Sequence, residues 1–162
     1  MRFDKVKRAI FTDLKTSIEG NDGLSIFACE RAKFEGWLKV ELCNILSRHS
    51  DQITPEKSLV DVTFDDWLIE LKTINTNYRY SNVVRKTKPI TNNVEGVVKD
   101  IKKLRKRKYK NKAVLFVVFP VTHYHKDWQK HLSKISKLLR MIKHQEFNFK
   151  KNIPGVIYLG LV

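Results

Sequence analysis

With 162 residues, 42% hydrophobic and 10% aromatic, the chain can bury the core of one domain but not two ordinary ones, and its composition excludes a disordered polymer. Its 32 Lys and Arg against 17 Asp and Glu give a formal net charge of +15, which disfavours cationic ligands and points to polyanions, nucleic acid ahead of an anionic membrane surface. No segment approaches the ~20 apolar residues of a membrane span, and the basic start lacks the roughly 7–15 apolar residues of a secretory leader, so a soluble cytoplasmic protein is expected.

Apolar spacing predicts a helix over residues 6–18. A second is predicted over 27–47, with Phe27, Phe34, Leu38, Leu42 and Ile45 on one stripe. Cys29 and Cys43 both fall in that second helix, about 21 Å apart at 1.5 Å per residue, too far for a disulfide. Neither has the paired spacing of a zinc site. Residues 58–64 and 67–74 read as two strands joined at Asp65-Asp66, residue types that tolerate turn geometry. The polar, basic stretch 75–93 reads as a long loop, a class that often carries function. Residues 94–108 form a helix through Val94, Val97, Val98, Ile101 and Leu104, and the apolar run 113–119 a buried strand, the order of a crossover unit. A helix over 127–143, through Trp128, Leu132, Ile135, Leu138, Leu139 and Ile142, and a strand over 155–162 complete the chain. The expected fold is α/β, a mixed central sheet flanked by helices.

The two early strands carry the chemistry. Folded at Asp65-Asp66, the hairpin pairs Phe64 with Trp67, Thr63 with Leu68, Val62 with Ile69, Asp61 with Glu70 and Leu59 with Lys72. Because side chains alternate across a sheet, Val60, Val62, Phe64, Trp67, Ile69 and Leu71 form the expected core face. Asp61, Glu70 and Lys72 share the other. Two carboxylates directly opposite each other destabilise a hairpin by up to ~1 kcal/mol. A divalent cation between their oxygens would offset this, while an ordinary surface face with Glu70 paired to a basic neighbour is the simpler alternative.

Glu70-Leu71-Lys72 after a hydrophobic strand, Asp61 nine residues earlier, and a preceding helix bearing a glutamate together resemble the PD-(D/E)XK nuclease superfamily. The resemblance spans roughly residues 28–120. It implies a restriction endonuclease-like core in which Asp61 and Glu70 ligate Mg²⁺, with Mn²⁺ as a substitute, helped by the Leu71 carbonyl. Lys72 would orient or help activate the attacking water. The helix segment from Glu35 to Glu41 looks like the one that contributes the family's helix glutamate, and Glu41, between Phe34 and Ile45 in the apolar stripe, is favoured over Glu35 at its edge. Val60 stands where many members have proline, and no glutamine follows Lys72 at the spacing some subfamilies use.

Basic groups supply the expected attraction for phosphate. Lys102, Lys103, Arg105 and Lys106 close the crossover helix, and Tyr78, Arg79, Tyr80, Arg85, Lys86 and Lys88 interleave rings and charges in the loop after Lys72, a pattern suited to base stacking. A more diffuse line, Lys126, Lys130, Lys134, Lys137, Arg140 and Lys143, follows the last predicted helix. His123 and His125 form an H-x-H pair without a recognisable third metal ligand. The expected function is metal-dependent hydrolysis of nucleic-acid phosphodiester bonds, DNA favoured over RNA. The alternatives are a noncatalytic binding module on the same fold and a nuclease toxin neutralised by an acidic inhibitor protein. A homodimer is left open.

Overall fold

The computed structural model describes residues 1–85 and 89–162. Among them the chain runs α1 (Phe3–Glu19), α2 (Asp22–Cys29), α3 (Glu35–Ser47), β1 (Ile53–Pro55), β2 (Val62–Phe64) and β3 (Trp67–Asn75). It continues through α4 (Thr91–Arg105), β4 (Asn111–Phe119), α5 (Lys126–Ser136), β5 (Met141–Phe149) and β6 (Ile153–Leu161). The six strands form one mixed sheet in the order β1-β2-β3-β4-β6-β5. β3 and β4 run parallel, with α4 as the crossover that such neighbours require, and every other pair is antiparallel.

The layering follows from central strands that are apolar on both faces. Val62, Trp67, Ile69, Leu71, Leu115 and Val117 pack under α1, α2 and α3, while Ile74, Val114, Phe116, Val118 and Tyr158 pack under α4 and α5. The protein is therefore α/β, with helices on both sides of the sheet. Its helices bury single stripes, Val6, Ile10, Leu14 and Ile18 in α1 and Val94, Val97, Ile101 and Leu104 in α4, at the spacing of one helical face. Among the described residues no helix is long and apolar enough to cross a membrane.

Several expected boundaries are corrected. The helix over 27–47 is two helices, so Cys29 ends α2 while Cys43 lies within α3, both as free thiols. The break falls at Arg31, whose φ of 55° lies in the left-handed region, at a cost of about 1–2 kcal/mol for a residue with a Cβ. The helix over 127–143 ends at Ser136, and Met141 to Lys143 instead open the edge strand β5. Leu138, Leu139 and Ile142 sustain helical spacing across the intervening turn, which hides the change of period. The first strand of the hairpin is shorter than residues 58–64, because a 3-10 turn occupies Lys57–Leu59. Leu59 accordingly does not pair with Lys72, and Val60 packs with Leu68 and Leu104 rather than on the face of Val62.

Arg31 also holds the chain that leaves β3. Although only 1% exposed, it donates from Nε to the Val84 carbonyl at 2.6 Å, from Nη1 to that of Thr76 at 2.5 Å and from Nη2 to that of Tyr78. Its own carbonyl accepts from Asn75 Nδ2. The buried guanidinium thus replaces regular secondary structure as the partner of loop carbonyls. Arg31→Met should lower unfolding free energy by roughly 3 kcal/mol in urea denaturation, because three carbonyl acceptors, that of Thr76 buried and those of Tyr78 and Val84 part-buried, lose their donor. The exposed Arg79→Met should stay within about 0.5 kcal/mol of wild type. Equal effects of the two substitutions would refute this role.

Candidate active site

The site is built where β2 ends. β2 pairs Val62, Thr63 and Phe64 with Ile69, Leu68 and Trp67, the register that a two-residue turn at Asp65-Asp66 dictates, and Asp65 supplies the turn's positive φ of 46°. Past Ile69 this edge of β3 has outrun β2. Two alternate backbone donors on it, the N–H groups of Leu71 and Thr73, are met instead by carboxylates: Asp61 Oδ2 at 2.8 Å and Glu35 Oε1 at 3.0 Å. Side chains thereby complete a ladder that a longer β2 would have made from backbone.

Asp61 stands one residue before β2, opposite Glu70 in the same register, and the two carboxyl groups hydrogen-bond to each other. Each also holds an ammonium. Lys39 Nζ lies 2.9 Å from Asp61 Oδ1 and 2.9 Å from Glu56 Oε1. Lys103 Nζ lies 2.6 Å from Glu70 Oε1 and also donates to the Leu59 carbonyl. Lys72 reaches the same face of β3 as Glu70, with Nζ 3.2 Å from Asp100 Oδ2. Gly96, one turn before Asp100 on α4, leaves room for the Lys72 stem: a Cβ there would stand 3.4 Å from Lys72 Cε. The Glu-x-Lys of β3 therefore meets Asp100 and Lys103 of α4, three residues apart on one helical face, with each charge opposed by its opposite.

These contacts set the protonation states. Burial opposes ionisation of both carboxyls. For Asp61 the Leu71 N–H, the hydrogen bond with Glu70 and the Lys39 ammonium outweigh burial and hold the group below the usual carboxylate range. For Glu70 burial, reinforced by the neighbouring Asp61 charge, prevails over Lys103 and pushes the carboxyl up to about 7. The pair's shared proton thus belongs to Glu70. Burial would lower the Lys72 ammonium, but Asp100 and Glu35 outweigh it and raise the group, so Lys72 is a cation at neutral pH rather than a free base.

Of the residues expected at the site, Asp61, Glu70, Lys72 and the Leu71 backbone come together. Glu41 does not. Its carboxylate accepts from Ser17 Oγ at 2.6 Å, bridging α3 to α1. Six residues separate Glu35 from Glu41, about 120° of rotation away, so only one of them can face β3. The helix break at Arg31 sets α3 to start at Glu35, beside Thr73. Lys39, Asp100 and Glu35 are the site residues that the strand pattern alone did not select. Lys39 lies one helical turn after Glu35, and Asp100 lies one turn after Gly96, which are the signals a helical wheel offers.

The basic residues divide. Lys103 turns inward to Glu70, Arg105 Nη2 donates to the Leu138 carbonyl at 2.5 Å, and Lys106 caps α4 in solvent. Lys102 lines a groove between α4 and α5 with Lys99, His131 and Lys134, a cavity of about 280 Å³. Arg79 and Arg85, both exposed, line a cavity of about 320 Å³ with Tyr80, Ser81 and Arg31. Tyr78 instead stacks on His125, ring centroids 4.2 Å apart, and its hydroxyl is pushed up to about 12 by burial. His123 Nδ1 pairs with the Tyr158 hydroxyl at 2.8 Å and its ring stacks on His144, so the two histidines of the H-x-H pair enter separate aromatic stacks. Lys86 and Lys88 lie outside the described residues. Comparison with protein-family models, curated proteins and solved structures gives no match.

The Glu70 assignment fixes a pH dependence. Between its ordinary value of 4.5 and about 7 the folded chain keeps a proton that the unfolded chain has released, so metal-free stability falls as pH rises across that window. Asp61, held low, has the opposite sign and acts only at more acidic pH. Glu70→Gln should abolish the decline, leaving a flatter urea midpoint between pH 5 and 7.5 in EDTA. Parallel curves for the two proteins would refute the assignment.

Proposed function

We propose that the protein is a divalent-metal-dependent nuclease of the PD-(D/E)XK type, with a restriction endonuclease-like core, hydrolysing nucleic-acid phosphodiester bonds, DNA favoured over RNA. The observation that carries this reading is the contact between the Asp61 and Glu70 carboxyls, with the Lys72 ammonium two residues along the same strand. Binding to nucleic acid needs no acidic pair, since carboxylates beside a phosphate path repel the ligand unless a cation is present.

The donor set suits Mg²⁺ or Mn²⁺. Two carboxylates and the adjoining backbone are hard oxygen ligands, and the pair already attracts two ammonium groups, which stand where a cation is favoured. Asp61, Glu70 and the Leu71 carbonyl would hold the ion. When bound, it would lower the pKa of a coordinated water and neutralise charge on the phosphate under attack. Hydrolysis joins the water oxygen to phosphorus as the bond to the leaving oxygen breaks, the water's proton passing to solvent and the leaving oxygen taking one from it. Lys72, a cation at neutral pH, would sit beside that phosphate and orient the water rather than take its proton. Asp100 is a positioning residue, since its ion pair fixes Lys72. Glu35 holds Thr73 at the next ladder position and so anchors the strand bearing Lys72.

A second reading is a noncatalytic nucleic-acid-binding module. One observation favours it: Lys39 and Lys103 already neutralise the acidic pair without a metal. Plasmid and RNA cleavage in Mg²⁺, Mn²⁺ or EDTA separates the two. Wild type should cut in metal only. Asp61→Asn, Glu70→Gln and Lys72→Ala should each lose at least ~100-fold in rate while remaining folded by circular dichroism, Asp61→Asn with a lowered melting point because it weakens the cap on the Leu71 amide, whereas Glu41→Gln should cut as wild type. Duplex affinity should fall by more than about tenfold between roughly 50 and 200 mM salt. Wild-type cleavage rates in Glu70→Gln and Lys72→Ala would leave the binding module as the better account.

A further inference from the structure

We infer that Lys103 is a displaceable cap: its ammonium occupies Glu70, one carboxylate of the Asp61–Glu70 pair, in the metal-free protein and moves to a substrate phosphate when a divalent ion enters. The inference rests on the metal-site reading above. It identifies Lys103 as a positioning residue that couples metal entry to nucleic-acid binding.

The geometry distinguishes this lysine from its basic neighbours. Lys102 and Lys106 face solvent, but Lys103 turns toward the sheet, where its Nζ contacts Glu70 Oε1 at 2.6 Å and the Leu59 carbonyl. Two hard oxygens around a compact ammonium resemble the surroundings that Mg²⁺ selects. Adding two positive charges at the same carboxylates sets the incoming ion against both ammonium groups at close range, so one has to leave.

Lys103 is the one free to go. Lys39 keeps an acidic partner in Glu56 at 2.9 Å if it yields Asp61, and its side chain is 22% exposed. Lys103, at 39% exposed, has a neutral carbonyl as its second partner and lies in the last turn of α4. A flexible four-carbon stem there can swing outward into line with Lys102 and Lys106, toward phosphate. The same side chain would then compete with metal when inward and bind nucleic acid when outward.

The test is a binding cycle with the full chain and a duplex oligonucleotide, in EDTA and in Ca²⁺, an ion taken by the same oxygen donors, with uncut duplex verified on gels. Lys103→Gln should bind duplex within about twofold of wild type in EDTA, where Lys103 is occupied by Glu70. In Ca²⁺ it should bind about tenfold more weakly. Lys102→Gln should lose the same factor in both media, and Lys103→Arg, which keeps the charge, should follow wild type. Calorimetry with Mn²⁺ alone should show tighter binding to Lys103→Gln than to wild type. Equal losses for Lys103→Gln in EDTA and Ca²⁺ would overturn the inference. In that case Mn²⁺ binding abolished by Glu70→Gln would leave the metal-site reading standing, whereas no Mn²⁺ binding to wild type would overturn both.

Discussion

The molecule is organised around an incomplete ladder. A turn fixed at Asp65-Asp66 and a chain that curls into a 3-10 turn leave β2 with three residues beside a nine-residue β3. The unmatched N–H groups of Leu71 and Thr73 lie beside buried structure, and an unsatisfied buried amide costs about 1–3 kcal/mol. Carboxylates from outside the strand fill both positions. Once Asp61 and Glu35 are drawn to that edge, negative charge accumulates around Glu70, and the cations Lys39, Lys72 and Lys103 follow. The site's charges are a consequence of where a strand stops.

Two helices on opposite faces of the sheet feed this edge. α3 delivers Glu35 and Lys39, one turn apart, and α4 delivers Asp100 and Lys103, also one turn apart. Neither pair would converge without the layered packing that seats α3 under Leu71 and α4 over Lys72. Gly96 lies at the approach of α4 to the Lys72 stem, where an added Cβ would meet Lys72 Cε at 3.4 Å. The apolar layers therefore position the polar cluster, while the cluster supplies the backbone partners that this end of β3 lacks.

Much of this was legible in the sequence, and the reasons differ by element. The hairpin register follows from period-two alternation and a turn whose residues tolerate positive φ, so the Asp61–Glu70 contact could be counted outward from Phe64 and Trp67. The crossover was equally plain, because α4 and β4 differ sharply in period. The choice between Glu35 and Glu41 was not, since it depends on a helix break at Arg31 that no Gly or Pro announces and that a long-range network of carbonyl contacts stabilises. Lys39, Asp100 and Lys103 acquire their roles only through contacts across layers, which local spacing does not encode. β5 was concealed because its opening residues extend the helical spacing of α5.

The double duty of the ladder-capping carboxylates bears on how such a site would decay over evolutionary time. Asp61 and Glu35 each satisfy a backbone amide, so replacing either damages the fold whether or not any reaction occurs. Glu70 and Lys72 contact α4 side chains, Glu70 also the Asp61 carboxyl, and neither is seen to cap an amide of β3. If the proposed activity were lost in a lineage that kept the scaffold, purifying selection would retain the first two residues while the second two drifted. Persistence of Asp61 and Glu35 in a descendant would therefore mark inheritance of the architecture, and the joint persistence of Glu70 and Lys72 would be the sign that selection acts on the proposed activity.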